Sequence, residues 1–131
     1  MFDTTRALYT DLAQALGVPE LKPDDQGSLQ IEVGENNAVA IFAEDPSTIL
    51  LATSVMALPT ELDYGRALWL LRRNFYDSPI APFRIACDTA GNIVVWSRVP
   101  ISELTGEQLA GIIDALATEA DTIREEAGIE P

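Results

Sequence analysis

Between Asp3 and Leu16 the large apolar residues Leu8, Leu12 and Leu16 recur every fourth position, with Tyr9 and Ala13 beside them. That spacing predicts an amphipathic helix, capped by Asp3 or Thr4 and closed by Gly17 and Pro19. Leu21 to Gln26 is polar, contains Pro23, and reads as a loop. From Leu29 the period changes to two: Leu29, Ile31 and Val33 alternate with polar residues, as in a strand with one wet face. Ala38 to Ala43 and Thr48 to Leu58 follow as strands apolar on both faces, separated by turns at Asn36-Asn37 and at Glu44 to Ser47. Turns this close together predict an antiparallel meander.

Pro59 ends the third strand, and Thr60 with Asp63 resembles a capping box opening a second helix that runs to about Tyr76. Its stripe is Tyr64, Leu68, Leu71 and Phe75, yet Trp69, Leu70 and Tyr76 put large apolar surface on other sides. A helix apolar most of the way round is covered on more than one side, and its own sheet can cover only one. Asp77 to Pro82 is a loop. Phe83, Ile85 and Cys87 and then Ile93 to Val99 form a hairpin around Gly91. Pro100 stops it. Thr105 with Gln108 opens a third helix striped by Leu109, Ile112, Ile113, Leu116, Ala120 and Ile123, with Gly128 at its far end. The order is helix, three strands, helix, two strands, helix: an α+β fold with a largely antiparallel sheet and helices packed on it.

Length sets the scale. The 131 residues scale to a folded surface of roughly 6,800 Å² against roughly 20,600 Å² unfolded, so a single domain spanning 1–131 is expected. The chain carries 21 acidic and 8 basic side chains, a net charge of −13, and no histidine. That charge argues against nucleic acid and anionic membranes as partners, because such binding rests on a lysine and arginine footprint and Lys22 is the only lysine. The longest unbroken apolar run is too short to insert in a membrane, and the start lacks the basic and apolar regions of a leader. With a single cysteine, Cys87, no internal disulfide is possible, and a reducing, cytoplasmic setting is expected.

Catalytic signals are sparse. Without histidine the common general base, the nucleophile dyads that depend on it and the commonest metal ligand are missing. No glycine-rich phosphate loop is present, so no cofactor and no metal are expected. An enzyme reading remains only as a small cone-like α+β enzyme using Asp63 or Asp88 as base with Tyr9 or Tyr64, and it requires a carboxyl whose pKa is pushed upward. What stands out is surplus apolar surface: Ala40, Phe42, Leu50 and Met56 fall on the face opposite Ile41, Ile49, Leu51 and Val55. A large uncovered apolar patch marks a protein interface, and an open sheet invites strand addition.

Local signatures then accumulate along this order: Leu12-Ala13-Gln14-Ala15-Leu16-Gly17, Leu58-Pro59, Leu70-Leu71 with Asn74, Asp88 with Gly91, Ile93-Val94-Val95-Trp96, Val99-Pro100, and Leu104 with Leu109. With the element order they resemble the class I chaperones of bacterial type III secretion, the Tir chaperone family. Family members commonly have glycines after the asparagine where this chain has Ser78 to Pro82, and the YbjN-like proteins, regulatory adaptors of similar fold, share the pattern. The resemblance implies a non-enzymatic cytoplasmic homodimer that binds the extended N-terminal segment of a secreted effector through strand addition and apolar pockets. On that basis Val39, Ile41, Phe42, Leu50 and Met56 are expected to bind effector, and Tyr64, Leu68, Trp69, Phe75 and Trp96 to form the dimer interface.

Overall fold

The computed structural model describes residues 1–58, 64–75, 83–102 and 104–126. The proposed capping box at Thr60 and Asp63, Tyr76, the 77–82 loop and Gly128 lie outside these. Helix α1 (Asp3–Leu16) leads into strands β1 (Leu29–Val33), β2 (Asn37–Asp45) and β3 (Thr48–Ala57). Helix α2 (Tyr64–Arg73), strands β4 (Arg84–Cys87) and β5 (Asn92–Pro100), and helix α3 (Gly106–Glu126) complete the expected order.

All strand pairs are antiparallel, in the order β1-β2-β3-β5-β4. The later strand, β5, takes the inner place because it is long and apolar on both faces, whereas β4 has only four residues. Val39, Ile41, Ile49, Leu51, Ile93 and Val95 share one face and are fully buried with Leu8 and Leu12 of α1 and Leu109, Ile113, Leu116 and Ile123 of α3. Burying each of these side chains contributes roughly 1.5–3 kcal/mol. Leu70 of α2 joins the same cluster, so all three helices lie on one side of the sheet.

Helix ends follow their local chemistry. Gly17 closes α1 at φ 72°, in the left-handed region that glycine adopts without a Cβ penalty. The α1 start differs from expectation: Phe2 occupies the cap position without a side-chain hydrogen bond, and Asp3 is already helical. At α3 the reciprocal box forms as expected, Thr105 N–H donating to Gln108 Oε1 (2.9 Å) and Gln108 N–H to Thr105 Oγ1 (3.1 Å).

Tyr9 anchors the loop that follows α1. Its buried hydroxyl donates to the Gly27 carbonyl at 2.8 Å. Burial, aided by the negative charge of Asp24, raises its pKa from 10.0 to about 12. A folded-state pKa above the unfolded value means this stabilisation is intact below pH 10 and lost as pH rises from 10 toward 12. Absorbance titration of the three tyrosines should show one ionising last, and Tyr9→Phe should remove that step together with part of the alkaline loss of stability.

Candidate functional site

Among the described residues no helix lies over the sheet's second face. Ala40, Phe42, Leu50, Ala52, Val94 and Trp96 are half-buried there, and Phe42, Leu50, Val94 and Trp96 take no part in the helix-covered core. Alternation along each strand separates the two faces, and the register aligns the open one: Ala40, Ala52 and Trp96 lie side by side, as do Phe42, Leu50 and Arg98. Arg98 reaches back across β3 to Glu44, Nε and Nη2 donating to its two carboxylate oxygens at 2.7 and 2.9 Å. Its guanidinium also stands 5.5 Å from the centre of the Trp96 ring. Arg84 of β4 is the register partner of Trp96 on the other side.

Three of the five expected effector residues are displaced from this surface. Val39 and Ile41 are 0% exposed because alternation turns them to the helix side, so they form the core and not a docking patch. Met56 is moved by a β-bulge. The register shifts between Ser54 and Met56, leaving Met56 opposite the buried Ile93 and packed against the core. Phe42 and Leu50 are on the open face.

Helix α2 is turned relative to its strongest stripe. Tyr64, Leu71 and Phe75 are 82, 68 and 57% exposed and Leu68 is half-buried, whereas the off-stripe residues Trp69 and Leu70 pack inward. Trp69 is therefore not on the outward face. Arg73 lies across its ring at 4.7 Å and is held by Glu119 of α3, with Glu126 at 3.6 Å. Trp96 sits on the open sheet face, away from the outward helix stripe with which it was grouped.

The two sheet edges differ. Asn74, just past α2, treats β4 as a neighbouring strand would: its Nδ2 donates to the Ile85 carbonyl (2.7 Å), and its Oδ1 accepts from Ile85 N–H (2.5 Å). The edge is closed there. Strand β1 pairs only with β2 among the described residues, leaving its outer backbone groups as a template for another chain.

Asp88 does not have the raised carboxyl pKa that the enzyme reading requires. Asp88 is an exposed turn residue whose carboxyl is held below its usual range by hydrogen bonds from the Asn92 backbone and side chain and from Ala90 N–H. That is opposite to the raised pKa required. The Tyr9 hydroxyl is committed to Gly27, Tyr64 is exposed on α2, and Asp63 lies outside the described residues. Among the described residues no three His, Cys, Asp or Glu side chains are placed to hold a metal ion, and no helix is long and apolar enough to cross a membrane.

Among the described residues, a sheet covered on one face and apolar on the other, with β1 unpaired on its outer side and an outward apolar helix stripe, defines a protein-binding module. Residues 8–124 match the Tir chaperone protein (CesT) family, and the chain belongs to it. No curated protein matches the chain in sequence. In fold it is similar to a chain in the structure of the Yersinia pestis type III secretion chaperone SycH with a stable fragment of YscM2: TM-score 0.77, 20% identity, covering 91% of this chain and 98% of that one. Two Pseudomonas aeruginosa complexes are comparable. ExoU-SpcU gives TM-score 0.74 at 24% identity over 88% of this chain and 93% of that one. ExoT-SpcS gives 0.71 at 18% over 93 and 98%.

Proposed function

We propose that this protein is a cytoplasmic, homodimeric chaperone that binds the extended N-terminal segment of a type III secreted effector, keeping it soluble and competent for secretion. The observation that carries the reading is the half-buried apolar sheet face that no described helix covers. Family membership supports it, as does the likeness in fold to SycH, whose structure holds a fragment of a second protein. Phe42, Leu50 and Trp96 are the proposed effector contacts, with the free β1 edge open to strand addition. Tyr64, Leu68, Leu71 and Phe75 form the proposed contact between copies.

The mechanism is thermodynamic. A segment that orders on binding loses conformational entropy and needs a contact on the order of 1,000–3,000 Å² to offset it. One face of five strands offers a footprint of about 24 by 20 Å, so the two facing surfaces together bury roughly 1,000 Å² per copy and a second copy brings the total well into that range. The bound apolar residues are withdrawn from aggregation while the segment stays unfolded.

The test is co-expression with N-terminal segments of type III effectors from the same genome, followed by co-purification and limited proteolysis. The expected result is a complex in which a stretch of effector is protected, lost in Phe42→Asp/Leu50→Asp while circular dichroism is unchanged. A monomer by light scattering that captures and protects none of these segments would overturn the reading.

A further inference from the structure

We propose that the open sheet face selects apolar segments carrying acidic side chains along the flank that lies over β4 and β5, with Arg84 as their anchor. The inference rests on the docking face proposed above and names the chemistry of its occupant. The chain's net charge of −13 by itself predicts the opposite preference, for basic segments. Yet two of its eight basic residues stand together on this face, on adjacent strands, flanking Trp96.

The two arginines are not equivalent. Arg98 is satisfied within the chain by its two-pronged pairing with Glu44. Arg84 is half-buried, and its Nη1 donates to the Phe83 carbonyl at 2.9 Å. Among the described residues no carboxylate pairs with it. A guanidinium presents five donors in a planar fork, so most of Arg84's remain for an outside acceptor. Beside an aromatic ring and partly shielded from water, that fork matches a carboxylate in both geometry and charge. Glu32 of β1 is exposed on the opposite margin of the same face, so, with Arg98 neutralised by Glu44, the face is negative at β1 and positive at β4. A bound segment is oriented accordingly. The global charge acts through a field screened over about 8 Å at physiological salt, whereas a contact pair survives that screening.

The test uses three synthetic amphipathic peptides of about 16 residues, which as helices span about 24 Å and can lie along the nine-residue strands β2 and β5 with one flank over β4 and β5. They share one apolar face and carry glutamate, glutamine or lysine along one flank. Each is titrated by tryptophan fluorescence into the full chain and into Arg84→Gln, Arg84→Glu and Phe42→Asp at about 0.15 M salt. The glutamate peptide is expected to bind about fivefold more tightly than the glutamine peptide, and the lysine peptide most weakly. Arg84→Gln should erase the preference, bringing the glutamate and glutamine peptides to the same affinity, and Arg84→Glu should turn it toward lysine. Tightest binding of the lysine peptide to the wild type, or an unaltered preference in Arg84→Gln, would overturn the inference. Equal binding of all three that is lost in Phe42→Asp overturns the acidic selectivity and leaves the docking face standing. No binding of any peptide counts against the face itself.

Discussion

Gly106→Ala is expected to lower the unfolding free energy by about 3 kcal/mol and the melting temperature by roughly 10 °C. Gly106 opens α3 at its closest approach to α1, where its N–H donates to Asp11 Oδ2 at 2.6 Å. An added Cβ would fall well inside contact distance of the Asp11 carbonyl and 2.8 Å from the Leu12 nitrogen. Both obstacles are backbone, so no rotamer change relieves them; the two helices must separate, loosening Leu12 and Leu109, which are both fully buried. The sign is informative, because alanine in place of glycine normally favours a helix by up to about 1 kcal/mol. Asp11→Ala, which removes only the hydrogen bond to the helix start, should cost about 1 kcal/mol. Denaturant midpoints for the two variants separate these effects. A Gly106→Ala protein as stable as the wild type would show that the helices are not pressed together there.

Arg124→Met is expected to cost a similar amount, about 3 kcal/mol. Arg124 is only 7% exposed, near the end of α3. Its Nε donates to the Val55 carbonyl (2.8 Å), and its Nη1 to Asn37 Oδ1 (2.9 Å) and Asp121 Oδ1 (3.0 Å). Nη2 adds longer bonds to the carbonyls of Ser54 and Asn36. One planar side chain thus ties α3 to the bulge in β3 and to the start of β2. Methionine fills much of the volume but leaves these buried acceptors without donors. Lysine keeps the charge but cannot reproduce the fork, so Arg124→Lys should recover only part of the loss. Urea unfolding of the two variants checks the ranking. If Arg124→Met unfolds within about 0.5 kcal/mol of the wild type, the clamp is not stabilising.

Much of the architecture could be read from period alone. The alternation in β1, β2, β5 and β3 up to its bulge assigned side chains to a face, the leucines of α1 and α3 marked their buried stripes, and Gly17 and the Thr105-Gln108 pair marked helix ends. The errors have separate physical causes. Met56 was misplaced because a bulge breaks period two without a proline or glycine to announce it. On helix α2 Trp69 was assigned to the outward side, because periodicity says which residues share a face, not which of several apolar sides meets the chain's own core. Val39 and Ile41 alternate with Ala40 and Phe42, and strict use of that alternation separates the core pair from the docking face. Arg124 passed unnoticed, although it lies four residues beyond Ala120 on the α3 stripe. A charged residue at a core position was the available signal.

The unequal sheet edges have one more consequence. Stacking of sheets into a fibre requires every unit to offer two receptive rims, so that each arrival exposes a fresh one. Here the Asn74 carboxamide occupies one rim at Ile85, and a second copy that joins at β1 offers beyond it only its own Asn74-occupied rim. Polymerisation is cut off at the first step, a useful property for a protein whose proposed work is to hold sticky, unfolded chains at high local concentration.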